Sequence, residues 1–131
     1  MTKVVNLIII NDCNEILLAK RSLQESDDSG LWSIPGGTIE DGEDIEESLR
    51  REVKEELNCE IESMKLFYEF NFSEKIYSYY FYGKINGDIQ TNEEISEVKW
   101  FTIDEIKSLK LAFKQNKIID KFDEFLKGFY K

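Results

Sequence analysis

The stretch from Gly36 to Cys59, GGTIEDGEDIEESLRREVKEELNC, constrains this chain more than any other. It opens on a glycine pair, meets a third glycine at Gly42, and then runs into a segment with the period of a helix. Ile45, Leu49, Val53 and Leu57 recur at four-residue steps and form an apolar stripe. Glu52, Glu55 and Glu56 share one arc beside it, because side chains three and four apart on a helix are neighbours. Asp44 is placed to cap the start, with Glu47 three residues on to complete a capping box. Asn58, just past the end, suits the left-handed residue that commonly closes a helix.

Three carboxylates on one helical face repel one another, by a few tenths of a kcal/mol per pair when exposed and by more when partly buried. A positive partner is therefore expected. Arg51 is one candidate, and a hard divalent cation is another, since Mg²⁺ takes oxygen ligands and commonly combines carboxylates with substrate phosphates. For the helix alone, an ordinary solvated acidic face stands as the alternative. The chain has no histidine, so any metal must be held mainly by oxygen and any general base is a carboxylate.

The spacing narrows the choice. Gly37 is followed after five residues by Glu43, and after seven more by Arg51-Glu52-Val53-Lys54-Glu55-Glu56-Leu57-Asn58-Cys59. This resembles the Nudix box, Gly-x5-Glu-x7-Arg-Glu-U-x-Glu-Glu-x-Gly-U, where U is a bulky apolar residue. The chain departs from it at the last glycine, where Asn58 stands, and at the last U, where Cys59 is a small apolar replacement. Asparagine tolerates left-handed backbone, so the turn is expected to survive.

The resemblance implies the Nudix fold, an α/β/α sandwich with a mixed sheet and a central loop-helix motif, and it covers nearly the whole chain. It implies hydrolysis of a nucleoside diphosphate linked to a group X. A small chain without extra N-terminal strands looks most like the MutT-type nucleoside triphosphate pyrophosphohydrolases. The other outcomes are an ADP-ribose, nucleotide-sugar or dinucleoside polyphosphate hydrolase, or a non-catalytic nucleotide sensor on the same scaffold. By the same resemblance Glu52, Glu55 and Glu56 hold Mg²⁺ (or Mn²⁺), joined by the Gly37 carbonyl and by an acidic residue before a late strand, Glu94 or Glu97. The catalytic set is then Glu52, Glu55 and Arg51, with Glu52 the first choice for base, Glu94 or Glu97 the other choice, and Arg51 orienting the carboxylates. Arg21, Gly36 and Gly37 are the candidates for touching substrate. Glu43 and Gly42 are expected to hold the loop-to-helix geometry.

The remainder of the 131 residues reads as the scaffold of one domain. Val4 to Ile10 is a buried strand, too short to span a bilayer. Asn11 to Asn14 is a turn, and Glu15 to Lys20 is the strand returning in a hairpin. Gln24 to Gly30 is a polar loop beside the site. Leu31 to Gly37 holds the chain's only proline, Pro35, as a rigid approach to the double glycine. Trp32 is read as core rather than as a stacking platform.

Glu60 to Phe72 and Lys75 to Lys84 are aromatic-rich strands, with Ser73-Glu74 as the turn between them. Tyr77, Tyr79 and Phe81 share one face and Tyr80 and Tyr82 the other; one or two of these rings are available to a nucleobase. Gly87 to Glu94 is a loop and Ser96 to Phe101 a strand. Thr102 to Leu109 is a short helix capped by Thr102 and Glu105, and Asn116 to Lys127 is the last helix.

The formal charge of -10 argues against a broad nucleic-acid or anionic-membrane surface. The expected partner is a small nucleoside di- or triphosphate, with a homodimer through a sheet edge or aromatic face as a possible assembly. Cys13 and Cys59 have no metal-ligand or redox spacing and suit a reduced, cytoplasmic protein, with Cys59 a core residue.

Overall fold

The computed structural model describes residues 1–22 and 30–128, so the polar loop read at Gln24 to Gly30 lies outside the described residues except for Gly30. Seven strands form the sheet: β1 (Thr2–Ile10), β2 (Ile16–Arg21), β3 (Trp32–Ser33), β4 (Gly36–Thr38), β5 (Glu60–Asn71), β6 (Ile76–Asn86) and β7 (Ile95–Phe101). Among the described residues three α-helices accompany them, α1 (Ile45–Leu57), α2 (Ile103–Ile106) and α3 (Asn116–Leu126), with a 3-10 turn at Ala112–Lys114 before the last.

β1 is the axis of the sheet. It pairs in parallel with β6 from Thr2↔Ile76 to Ile9↔Gly83. Its other edge is shared, being antiparallel to β4 at Val4↔Thr38 to Asn6↔Gly36 and to β2 only at Ile9↔Leu17 and Ile10↔Ile16. The β1–β2 hairpin is thus much shorter than the run of apolar residues suggests. Beyond it β2 turns to β3 on one side and to β7 on the other. β5 lies at the sheet edge, antiparallel to β6, with register shifts at Ile61/Ser63 and Leu66/Tyr68. The second shift lets the adjacent residues Phe67 and Tyr68 both pack toward α3.

β1 is apolar on both faces because it is covered on both. Val5, Leu7 and Ile9 point to α1, where they meet Leu49, Val53 and Leu57. Ile8 points the other way, into a core with Ile16, Leu18, Tyr80 and Phe101 from the sheet and Ile118, Ile119 and Phe122 from α3. Each of these fully buried aliphatic side chains contributes about 1.5–3 kcal/mol relative to exposure. The result is helix, mixed sheet, helix, the sandwich expected from the box.

Local signals hold where they were specific. Asp44 and Glu47 form the capping box of α1, and Thr102 and Glu105 form that of α2. Asn58 closes α1 in the left-handed region (φ 59°, ψ 33°), returning its N–H to the Lys54 carbonyl. Cys59 is buried. α2 is shorter than its reading, ending at Ile106, and α3 ends at Leu126. Trp32 is packing, its ring edge-on to Phe101 at 5.0 Å between centroids. No helix among the described residues is long and apolar enough to cross a membrane.

Candidate active site

A cleft of about 500 Å³ opens between α1, β4 and the far ends of β1 and β6. At one end stand Glu52, Glu55 and Glu56 of α1, Arg51, the Gly36–Gly37 strand and Glu94. At the other stand Phe72, Ser78, Tyr80, Phe113 and Gln115.

The glycines are required by close approach. A Cβ on Gly36 would fall 2.1 Å from the Val5 carbonyl oxygen, inside the β1–β4 ladder. A Cβ on Gly37 would fall 2.3 Å from the Glu52 carboxyl carbon. The bare Gly37 backbone therefore leaves the space that the Glu52 carboxylate occupies. Gly36 contributes its N–H, which donates to Glu56 Oε1 at 3.2 Å.

Arg51 is the hub of the acidic end. It donates from Nε and Nη2 to both oxygens of Glu43 (2.7 and 3.0 Å), from Nη1 to Glu52 (3.0 Å) and Glu55 (3.2 Å), and from Nη2 to the Thr38 carbonyl (3.1 Å). Glu43 thus fixes the loop to the helix, as expected, and the Arg51 guanidinium holds its carboxyl down at about 2. Gly42, with φ +87° and open space around it, supplies the turn.

The four carboxylates differ in environment. Glu55 is 54 % exposed and Glu52 only 13 %. Burial raises the Glu52 carboxyl above the ordinary range, against the opposing pull of Arg51. Glu56 is 7 % exposed, and burial, together with the neighbouring charges of Glu52 and Glu94, pushes it up to about 8. Among the described residues one peptide N–H donates to this buried carboxylate, which leaves it lone pairs to spare. Glu94 is exposed on the loop before β7, and its field reaches both Glu52 and Glu56. Glu97 is not brought to the site: it sits within β7 opposite Lys20, exposed, and does not line the cleft. The register shift between Lys20 and Arg21 turns it away, placing Glu97 on the face opposite Ile95, which lines the cleft.

This donor set fits a divalent cation. All the available ligands are oxygen, the cluster is rich in acidic groups, and burial with the neighbouring Glu52 and Glu94 disfavours the ionised form of Glu56, which a bound cation would favour. Among the described residues no three acidic groups are gathered as a ready cage, because Arg51 draws Glu52 and Glu55 while Gly36 holds Glu56.

A NUDIX domain model matches residues 1–122. The chain belongs to the Nudix family. It is 32 % identical over 118 residues to a nucleoside triphosphatase, NudI, of Enterobacter sp. (strain 638), across 79 % of this chain and 84 % of that one. It is 29 % identical over 126 residues to an ADP-ribose pyrophosphatase of Methanocaldococcus jannaschii, across 92 % and 72 %. Among solved structures, a MutT protein from Methanosarcina mazei Go1 superposes with a TM-score of 0.83 at 26 % identity, across 99 % of this chain and 96 % of that one. The sandwich fold and the hydrolase class expected from the box are thereby borne out: this Nudix chain is a hydrolase acting on pyrophosphate bonds. Nudix hydrolases generally need a divalent metal.

Arg21 lines the cleft of this Nudix domain, its guanidinium 4.9 Å from the centre of the Phe113 ring. Its charge is felt at Glu56, so it lies between the acidic and aromatic ends. Phe113, Gln115 and Asn6 line the same cleft and escaped the sequence reading. Phe113 and Lys114 are both left-handed (φ 55° and 57°), a conformation that no glycine or asparagine advertises there. Gln115, directly before α3, reads as a helix-start residue but makes no capping bond.

Proposed function

We propose that this protein is a Mg²⁺-dependent nucleoside triphosphate pyrophosphohydrolase of MutT type, releasing a nucleoside monophosphate and pyrophosphate. The carrying observation is one cleft lined both by the carboxylates Glu52, Glu55, Glu56 and Glu94 and by the rings of Phe72, Tyr80 and Phe113. A polyphosphate at the acidic end leaves the base among rings that offer it flat faces. The 32 % identity to a nucleoside triphosphatase supports the same substrate class. The net charge of -10 disfavours a long nucleic-acid strand.

Glu52, Glu55 and Glu56 are the residues to hold the cation, with the Gly37 carbonyl and Glu94 completing the oxygen set. Mn²⁺ has the same taste for carboxylate and carbonyl oxygen and is the substitute. When bound, the cation supplies charge neutralisation at the pyrophosphate and acidifies water. Glu52 accepts the proton of the attacking water at a carboxylate oxygen; burial raises its pKa, which makes it a stronger base than an exposed carboxylate. The water oxygen bonds to phosphorus, the bridging P–O bond breaks, and pyrophosphate departs with the electron pair. Arg51 keeps Glu52 and Glu55 oriented through charge-assisted hydrogen bonds. Arg21 faces the phosphates from between the two ends of the cleft.

The test is a turnover screen with Mg²⁺ over nucleoside triphosphates, ADP-ribose, nucleotide sugars and dinucleoside polyphosphates, with Glu55→Gln alongside. Monophosphate plus pyrophosphate from a triphosphate, lost in the variant, is the expected result. Cleavage confined to ADP-ribose or a nucleotide sugar overturns the substrate class. Nucleotide binding without any turnover makes the protein a sensor.

A further inference from the structure

The aromatic end of the cleft contains a polar chain that the hydrolytic chemistry does not use. Gln115 is 1 % exposed and sits between two partners from distant parts of the sequence. The Ile34 peptide N–H donates to its Oε1 at 2.8 Å, and its Nε2 donates to the Tyr80 hydroxyl oxygen at 3.3 Å. Each direction is forced. A peptide N–H can only donate, so the amide oxygen must face Ile34, and that turns the amide nitrogen to Tyr80. The Tyr80 oxygen is therefore the acceptor, and its own proton must point elsewhere.

Among the described residues no acceptor meets that proton. Tyr80 is 3 % exposed and lines the cleft, so its O–H is left to find an acceptor in what fills that space. Burial lifts the Tyr80 hydroxyl up to about 12, so the proton stays on oxygen across the physiological range. Phe72 and Phe113 line the same end, and the left-handed backbone of Phe113 accompanies a ring within 4.9 Å of Arg21.

We propose that Tyr80, oriented by Gln115, is a specificity-determining hydrogen-bond donor that reads a keto oxygen on the nucleobase of the bound nucleotide. The proposal rests on the nucleotide reading above, which puts the phosphates at the carboxylates and the base between Phe72 and Phe113. A keto oxygen completes the chain Ile34 N–H, Gln115, Tyr80 O–H. An amino group at the same point sets donor against donor and leaves both unpaired, which is the strongest form of discrimination a polar site offers. Gln115 is a positioning residue, since it acts through Tyr80.

The experiment compares two substrate pairs that exchange a keto for an amino group, with the accompanying proton on the adjacent ring nitrogen: inosine with adenosine triphosphate and uridine with cytidine triphosphate. It measures kcat/KM for each, and, independently of turnover, the Kd of the matching monophosphates by calorimetry. In the wild type the keto member of the better-used pair is expected to lead by about tenfold or more, the value of one neutral hydrogen bond. Tyr80→Phe is expected to bring that ratio close to one by loss of the keto member alone. Gln115→Met, which keeps the shape but frees the hydroxyl to rotate, is expected to shrink the ratio while Tyr80 remains. A ratio within one protein sample does not depend on the folded fraction, so a packing defect that lowers all four substrates alike cannot mimic the result. No keto preference in the wild type, or a preference unchanged in Tyr80→Phe, overturns the proposal. Turnover of triphosphates without the preference sinks this inference and leaves the proposed function standing. Monophosphate binding with the preference, but no triphosphate turnover, does the reverse.

Discussion

Arg51 holds Glu43 by two hydrogen bonds, Nε to Oε2 at 2.7 Å and Nη2 to Oε1 at 3.0 Å, across the junction of the glycine loop and α1. The remaining nitrogen, Nη1, reaches Glu52 and Glu55. One planar group therefore ties the loop to the helix and sets the rotamers of two proposed catalytic carboxylates. Lysine keeps the charge but not the fork. Arg51→Lys is expected to lower kcat by about 10–100-fold, the usual effect of losing an outer partner of a metal-ligating group. The loss in KM is expected to be smaller, and steady-state kinetics with a thermal-melt control measures the split.

The Glu43 side of this pair has a sign in pH. Its folded-state pKa lies near 2, below the ordinary 4.5, so the pair's stabilisation is complete above about pH 4.5 and fades as pH falls toward 2. Glu43→Gln should flatten that part of an acid-unfolding curve and leave the curve above pH 5 parallel to wild type. An unchanged acid limb would mean that the pair contributes nothing to folding.

Glu56 has the opposite sign. Its pKa is raised to about 8, so the folded chain holds a proton that the unfolded chain has released. In the absence of divalent cations stability should fall as pH rises from about 5 to 8, by at most about 5 kcal/mol. Glu56→Gln should remove the slope. Saturating Mg²⁺ should raise the melting temperature of the wild type more at pH 8 than at pH 5.5, because cation and proton compete for one carboxylate. Melts in chelator and in Mg²⁺ at the two pH values measure both effects.

The adjacent glycines should fail in different ways. Gly36→Ala drives a Cβ into the Val5 carbonyl oxygen, which is backbone in a ladder, and should destabilise the fold by about 2 kcal/mol or more. Gly37→Ala meets only the end of the Glu52 side chain, which is able to swing away. It should fold with a near-normal melting temperature and lose most of its kcat. Unfolding curves and kinetics on the same preparations separate the two.

Lys114 pays for a left-handed backbone (φ 57°) next to another at Phe113. Glycine carries no Cβ penalty there. Lys114→Gly should stabilise the fold by roughly 1 kcal/mol, equivalent to a rise of about 4–8 °C in Tm for a small domain. A fall in Tm would mean that the exposed lysine makes a contact worth more than the strain.

The acidic end of the cleft was legible in advance because it is local. Glu52, Glu55 and Glu56 stand on one helix, and a period of 3.6 residues puts them together whatever else the chain does. Asp44 with Glu47, Thr102 with Glu105, and Asn58 were readable for the same reason: each acts on backbone within a few residues. Glu94 and Glu97 show where such rules stop. Both are acidic and near the start of β7, and only the strand's phase, set by pairing to β2, turns Glu97 opposite Lys20 and leaves Glu94 at the cleft. The β1–β2 hairpin was overdrawn because an apolar run does not say which neighbour its edge will choose, and β1 divides that edge between β2 and β4.

At the aromatic end the sequence offered Tyr80 among several strand rings, and tertiary structure made the selection. Gln115 joins Ile34 across 81 residues and Tyr80 across 35, and no signal within a window of sequence links those positions. Phe113 enters the cleft through two left-handed residues whose side chains give no hint of that backbone. Helix periodicity and caps are set by neighbours along the chain, so residue order alone determines the acidic helix α1 and the family the chain belongs to. Which rings and which hydroxyl line the cleft depends on sheet register and on the turn before α3, and those are settled only when the two cores close on either side of β1.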